Sequence, residues 1–107
     1  MKWWDDVWLN EGFATWMESK AVAAWRADWQ VEIDAALDTQ GALAVDTAAT
    51  TRPVRTKVET PEEINEVFDP IAYEKTAAVL RMVESYVGSE LFRKGVASYI
   101  AAYAYKN

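Results

Sequence analysis

Two short runs gather side chains whose types and spacing can do chemistry. In the first, Trp8-Leu9-Asn10-Glu11-Gly12-Phe13-Ala14-Thr15-Trp16-Met17, a carboxylate stands among apolar residues at helical spacing, with Val7 and Ala14 on the face of Glu11. A carboxylate in an apolar setting needs a cation, a metal or a proton. In the second, Phe68-Asp69-Pro70-Ile71-Ala72-Tyr73-Glu74-Lys75, Tyr73 falls in the first turn of a helix. A phenol near the positive end of a helix can donate to a developing oxyanion. From residue types alone the ordinary readings are the stronger: a solvated or ion-paired Glu11, and a Tyr73 packed in the core with its hydroxyl bonded.

The elements that must position these residues read as helices almost throughout. A first helix is expected from Asp5 or Asp6, whose short acidic side chains suit an N-cap, to about Ala24. Its Leu9, Phe13, Trp16 and Met17 form one apolar stripe, while Val7, Ala14 and Val22 lie opposite with Glu11 and Glu18, a pattern normally enclosed by other elements. A second helix is expected from about Asp28 to Val45, with Gly41 weakening its later half. The polar break from Thr47 to Thr60 contains Pro53, and residues 50–54 read as extended loop.

Thr60-Pro61-Glu62-Glu63 is a capping box with proline at the first helical position and predicts a short helix over 61–67. Asp69-Pro70 repeats the start signal for a long helix to Val87; Gly88 can end it in the left-handed conformation, and Ser89 can cap a last helix to about Tyr105. The last two helices are expected to form an antiparallel hairpin. The fold class is thus all-α, with about four helices and one short helical turn, in a single partial domain over residues 1–107.

Composition narrows the function. The net charge of −6 disfavours a nucleic-acid partner and an anionic membrane surface, because both select for basic patches. No apolar run is long enough for a transmembrane helix, and Met1-Lys2-Trp3-Trp4-Asp5-Asp6 lacks the pattern of a secretory signal; no compartment follows. The chain has no cysteine and no histidine, so disulfides, thiolate ligation and the commonest metal ligand are all absent. Yet 51% of its 107 residues are hydrophobic, six of them tryptophan, which is more apolar material than one small core easily hides. Self-association through exposed apolar faces is the expected result.

The run from Trp3-Trp4-Asp5-Asp6 through Leu9-Asn10-Glu11-Gly12-Phe13-Ala14 to Met17-Glu18 resembles the segment that follows the HExxH motif in gluzincin aminopeptidases of the aminopeptidase N type. The resemblance implies that Glu11 is the third zinc ligand. Phe68-Asp69 with Ile71, Tyr73, Lys75 and Ala77 is similar to the family's segment carrying the tyrosine that stabilises the tetrahedral intermediate, and so implies that role for Tyr73. The stretch from Phe92-Arg93-Lys94-Gly95-Val96 through Tyr103-Ala104-Tyr105-Lys106-Asn107 is similar as well, which extends the likeness over essentially the whole chain. One departure is Thr76, where many members carry glycine; it adds a side chain close to Tyr73.

The resemblance implies the C-terminal part of a thermolysin-like catalytic domain, a zinc cofactor and a peptide substrate. The remainder of the catalytic domain would then be this chain's partner. The HExxH motif, with two histidine ligands and the general-base glutamate, is expected ahead of Met1, and the chain alone is expected to be inactive. Asn10 is the nearest candidate to support the Glu11 carboxylate, although adjacent helix residues do not share a face, and a purely structural contact is as good a reading. An alternative from another class is a stand-alone helical interaction module that contacts a partner through Trp3, Trp4 or Trp16. A carbohydrate-binding role for the tryptophans ranks lower, because they fall at helix-packing positions.

Overall fold

The computed structural model describes residues 3–105. Met1 and Lys2 of the opening run, and Lys106 and Asn107 of the last matching run, lie outside the described residues. Helix α1 spans Val7–Trp25, α2 Val31–Asp46, the short α3 Pro61–Ile64, α4 Thr76–Val87 and α5 Ser89–Tyr103. Tight 3₁₀ turns occupy Trp4–Asp6, Ala27–Trp29 and Asn65–Val67, and a π-helical turn, Ile71–Lys75, leads directly into α4. No strand occurs among the described residues, and the fold is all-α as the periodicity predicts.

Helix α1 packs against the π-turn, α4 and α2. Around its first turn Val7 joins Val58, Val67 and Ala72 in a buried cluster, with Trp4, Trp8, Ile64 and Tyr73 packed on it. Further along, Trp16 is buried between Phe13 and Phe92 and donates its indole N–H to Glu84 Oε2 at 3.0 Å. Lys20 reaches the other oxygen of Glu84 at 2.5 Å. No helix among the described residues is long and apolar enough to cross a membrane.

Lys20 first, then the Trp16 N–H and the Ser89 hydroxyl, hold the Glu84 carboxyl below its ordinary value of 4.5 against the opposing effect of burial. A depressed carboxylate stabilises the fold fully above the unfolded value and loses that contribution as pH falls through the folded one. Urea titrations are therefore expected to show a midpoint that drops below pH 4.5. Trp16→Phe, which removes one donor to a charged acceptor, should cost about 2 kcal/mol at neutral pH and weaken the acid dependence.

Several boundaries differ from expectation for local reasons. Asp5 and Asp6 do not cap α1: the Asp5 carboxylate accepts the Val58 N–H at 2.9 Å, and Arg55 pairs with both acids. Helix α2 begins at Val31, not Asp28, because Gln30 takes a left-handed conformation (φ 53°) after a turn in which Arg26 clasps Asp28 and lies over the Trp25 and Trp29 rings. The capping box forms, with Glu63 accepting the Thr60 N–H at 3.2 Å. Gly88 has the positive φ expected (88°), but its ψ of 141° is extended, and it rather than Ser89 precedes the first turn of α5.

The apolar faces are only partly covered. Leu9 and Met17, half of the α1 stripe, are exposed. Helix α5 contacts α4 but has no buried residue; Phe92 and Val96 are half-buried and its other positions exposed. The chain exposes 7527 Å², whereas a folded monomer of 12.1 kDa exposes about 6,000 Å². Its radius of gyration is 14.8 Å, against about 13 Å for a compact domain of this length.

Candidate active site

Glu11 projects from the second turn of α1 and Tyr73 from the middle of the π-turn. Both line one cavity of about 480 Å³, which Glu18, Asp34, Asp38 and Arg81 also border. The Glu11 carboxylate is near enough to the Tyr73 phenol to act on its proton affinity. The structure thus brings together the two residues singled out in separate runs 62 positions apart. The setting of Glu11 is not apolar, as its neighbours at i−4 and i+3 suggest: Val7 is buried in the adjacent cluster, Ala14 is exposed, and acidic side chains share the cavity.

Tyr73 is half-buried, its ring packed on the Val7 cluster and 6.5 Å from that of Phe68. Burial first, then the hydrogen bond and negative charge of Glu11 and the charge of Glu74, raise its pKa above the ordinary 10.0. The phenol therefore stays protonated at neutral pH and keeps a proton to donate.

The backbone around Tyr73 is fixed from several sides. Asp69 Oδ1 accepts the Ile71 N–H at 3.0 Å and the Ala72 N–H at 3.1 Å, so its negative charge occupies the positive helix end that the sequence offers to the phenol. Arg52 grips Asp69 with two bonds, at 3.0 and 2.5 Å, and also donates to the carbonyls of Pro53, Val54 and Val67. Lys75 pairs with Asp46 at the end of α2 at 2.7 Å, and holds the Asp46 carboxyl below its usual range together with Thr51.

The extra residue of the π-turn is visible in Pro70, whose carbonyl accepts the N–H of both Glu74 (3.1 Å) and Lys75 (3.0 Å). A regular first turn was the expectation; Pro70, lacking an N–H, and the Asp69 cap leave the first amides engaged outside the normal ladder. Wide turns of this kind recur at functional sites.

Asn10 is exposed on α1, about 100° around the helix from Glu11. Sequence reasoning passed over Asp34, Asp38 and Arg81 as cavity residues. The i, i+4 spacing of the two aspartates on α2 is a signal that they share a face, but nothing in the sequence says that this face turns toward Glu11. Arg81 enters from α4 with its Nε buried and unbonded, and also borders a cleft of about 760 Å³ that holds Lys20 and Glu84 but neither Glu11 nor Tyr73. Of the tryptophans an α1 interaction surface would use, Trp16 is buried, Trp4 half-buried and Trp3 exposed.

No group of three or more His, Cys, Asp or Glu among the described residues is arranged to hold a metal ion. With no histidine or cysteine in the sequence, these residues by themselves do not fit a catalytic zinc, which takes three protein ligands. What the site offers is a carboxylate, Glu11, among other acidic side chains and beside one protonated phenol.

The Peptidase family M1 domain matches residues 1–107, and the chain belongs to that family. It is 48% identical over its whole length to Probable aminopeptidase 2 of Sulfurisphaera tokodaii, covering 14% of that protein. It is 44% identical over its whole length both to Aminopeptidase M1-D of Oryza sativa and to Leucyl aminopeptidase of Saccharolobus solfataricus, covering 12% and 14% of them. The chain thus spans about one-seventh of the length of the curated relatives it matches.

Proposed function

We propose that these residues are one part of the catalytic domain of a zinc-dependent aminopeptidase that removes N-terminal residues from peptides. The observation that carries the reading is the convergence of Glu11 and Tyr73 on one cavity. Glu11 serves as one oxygen ligand of the zinc, and two histidines from an HExxH motif outside these residues complete the set. When bound, the metal polarises the peptide carbonyl and makes a bound water more acidic.

Tyr73 turns its proton from Glu11 toward the carbonyl oxygen as that atom becomes negative. Its raised pKa keeps the proton on the phenol until then. Asn10 supports the carboxylate from the exposed side of α1.

The surface supports the partial-domain reading. The excess of about 1,500 Å² over a compact monomer is more than the ~800 Å² that one side of a standard interface contributes. The bare stripe of Leu9 and Met17, and the exposed α5, are faces for the remainder of the domain. The burial of Trp16 weighs against the interaction-module reading.

The test compares two polypeptides with zinc and an aminoacyl reporter. The 107-residue chain is expected to release no product above the zinc-only rate, while a polypeptide that also supplies the HExxH segment hydrolyses the reporter and stops on chelation. Metal-dependent turnover by the 107-residue chain alone, or none by the longer one, would refute the assignment.

A further inference from the structure

We infer that Thr76 is a positioning residue whose hydroxyl holds the π-turn in the register that sets Tyr73 against Glu11. The inference rests on the peptidase reading above and assigns a role that its two reacting side chains do not cover. Gly12 directly follows Glu11 in α1, and Thr76 lies three residues after Tyr73, so the pair sits immediately behind the site.

At Gly12 an added Cβ would stand 2.2 Å from Thr76 Cγ2, 2.4 Å from Thr76 Cβ and 3.1 Å from the Ala72 carbonyl oxygen. The backbone of α1 therefore rests directly on the Thr76 side chain, and both residues are buried. Close approach of this kind is open to glycine and not to a residue with a Cβ. Thr76 thus sits where the helix carrying Glu11 meets the turn carrying Tyr73.

The hydroxyl of Thr76 has a separate task. In a regular α-helix the Ile71 carbonyl would accept the Lys75 N–H; here that N–H goes to Pro70, and the Thr76 N–H to Tyr73. Thr76 Oγ1 instead donates to the Ile71 carbonyl at 3.1 Å in a buried setting. Without the hydroxyl, the buried carbonyl regains a partner if Lys75 N–H returns to it, which converts the wide turn to α-helical register. Removing one residue from the turn rotates the preceding positions by about 100° relative to α4 and takes Tyr73 away from Glu11.

Two near-isosteric substitutions in the full-length protein separate these roles. Thr76→Val keeps the branched shape and loses the hydroxyl; Thr76→Ser keeps the hydroxyl and loses the methyl. Thr76→Val is expected to lower kcat by roughly 10-fold or more with KM within about 2-fold, since misplacing a catalytic group by an ångström is that costly. Thr76→Ser should stay within about 3-fold of wild type. Amide hydrogen exchange at Lys75 should change in Thr76→Val and match wild type in Thr76→Ser.

A Thr76→Val protein with wild-type kcat and wild-type Lys75 exchange would overturn the inference. So would a Thr76→Ser protein that loses as much kcat as a hydroxyl-free variant is expected to lose, and this arm decides the matter if Thr76→Val does not fold. An inactive wild-type protein would sink the peptidase reading instead, while the exchange comparison still judges whether the hydroxyl holds the turn.

Discussion

Tyr73→Phe is expected to lower kcat of the full-length protein by about 10²–10³-fold, the usual cost of deleting one oxyanion donor, with KM little changed. The substitution removes one oxygen and leaves the ring that packs on the Val7 cluster, so the fold should survive. The donor is needed as charge develops and contributes little to ground-state binding, which is why the loss falls on kcat. Steady-state kinetics on an aminoacyl reporter checks this. A change smaller than about 3-fold would mean that the carbonyl oxygen is stabilised elsewhere and that Tyr73 is a core residue with a satisfied hydroxyl.

Glu11→Gln should be more severe, because it acts on the metal and the chemistry together. The amide keeps the shape of the side chain but has no negative charge, so on the proposed reading the zinc site would lose an anionic ligand. The full-length variant is expected to be isolated with well under one zinc per chain, and to lose more activity than the 10–100-fold typical of an outer partner of a ligand. Metal analysis alongside kinetics distinguishes this from Tyr73→Phe, which should retain its zinc. Full zinc occupancy in Glu11→Gln would remove Glu11 from the ligand set.

Much of this architecture was legible in the residue pattern, because it depends on local physics. The 3.6-residue periodicity of α1 and α4, the Thr60-Pro61-Glu62-Glu63 box and the turn at Gly88 each act within a few residues of chain. The runs around Glu11 and Tyr73 were picked out separately, and the fold brings both residues to one cavity.

What the pattern could not show depends on contacts across long stretches. The grip of Arg52 on Asp69 spans 17 residues and that of Lys20 on Glu84 spans 64; each joins ordinary surface residue types until the fold brings them together. The π-turn has no local signature, since it depends on where the Asp69, Pro70 and Thr76 groups send their hydrogen bonds. The pairing of Gly12 with Thr76 is likewise invisible until α1 lies on the turn. The exposure of Leu9, Met17 and α5 could not be read from residues whose pattern alone predicts enclosure.

Anomalous scattering at the zinc edge, from crystals of the full-length protein, tests the central claim most directly. The account predicts a single strong peak about 2.0–2.2 Å from a carboxylate oxygen of Glu11, with two histidines from outside these residues completing the ligands. It also predicts the Tyr73 hydroxyl facing the open coordination position. A zinc peak whose ligands exclude Glu11, or one that Tyr73 cannot approach, would contradict the assignment of this site.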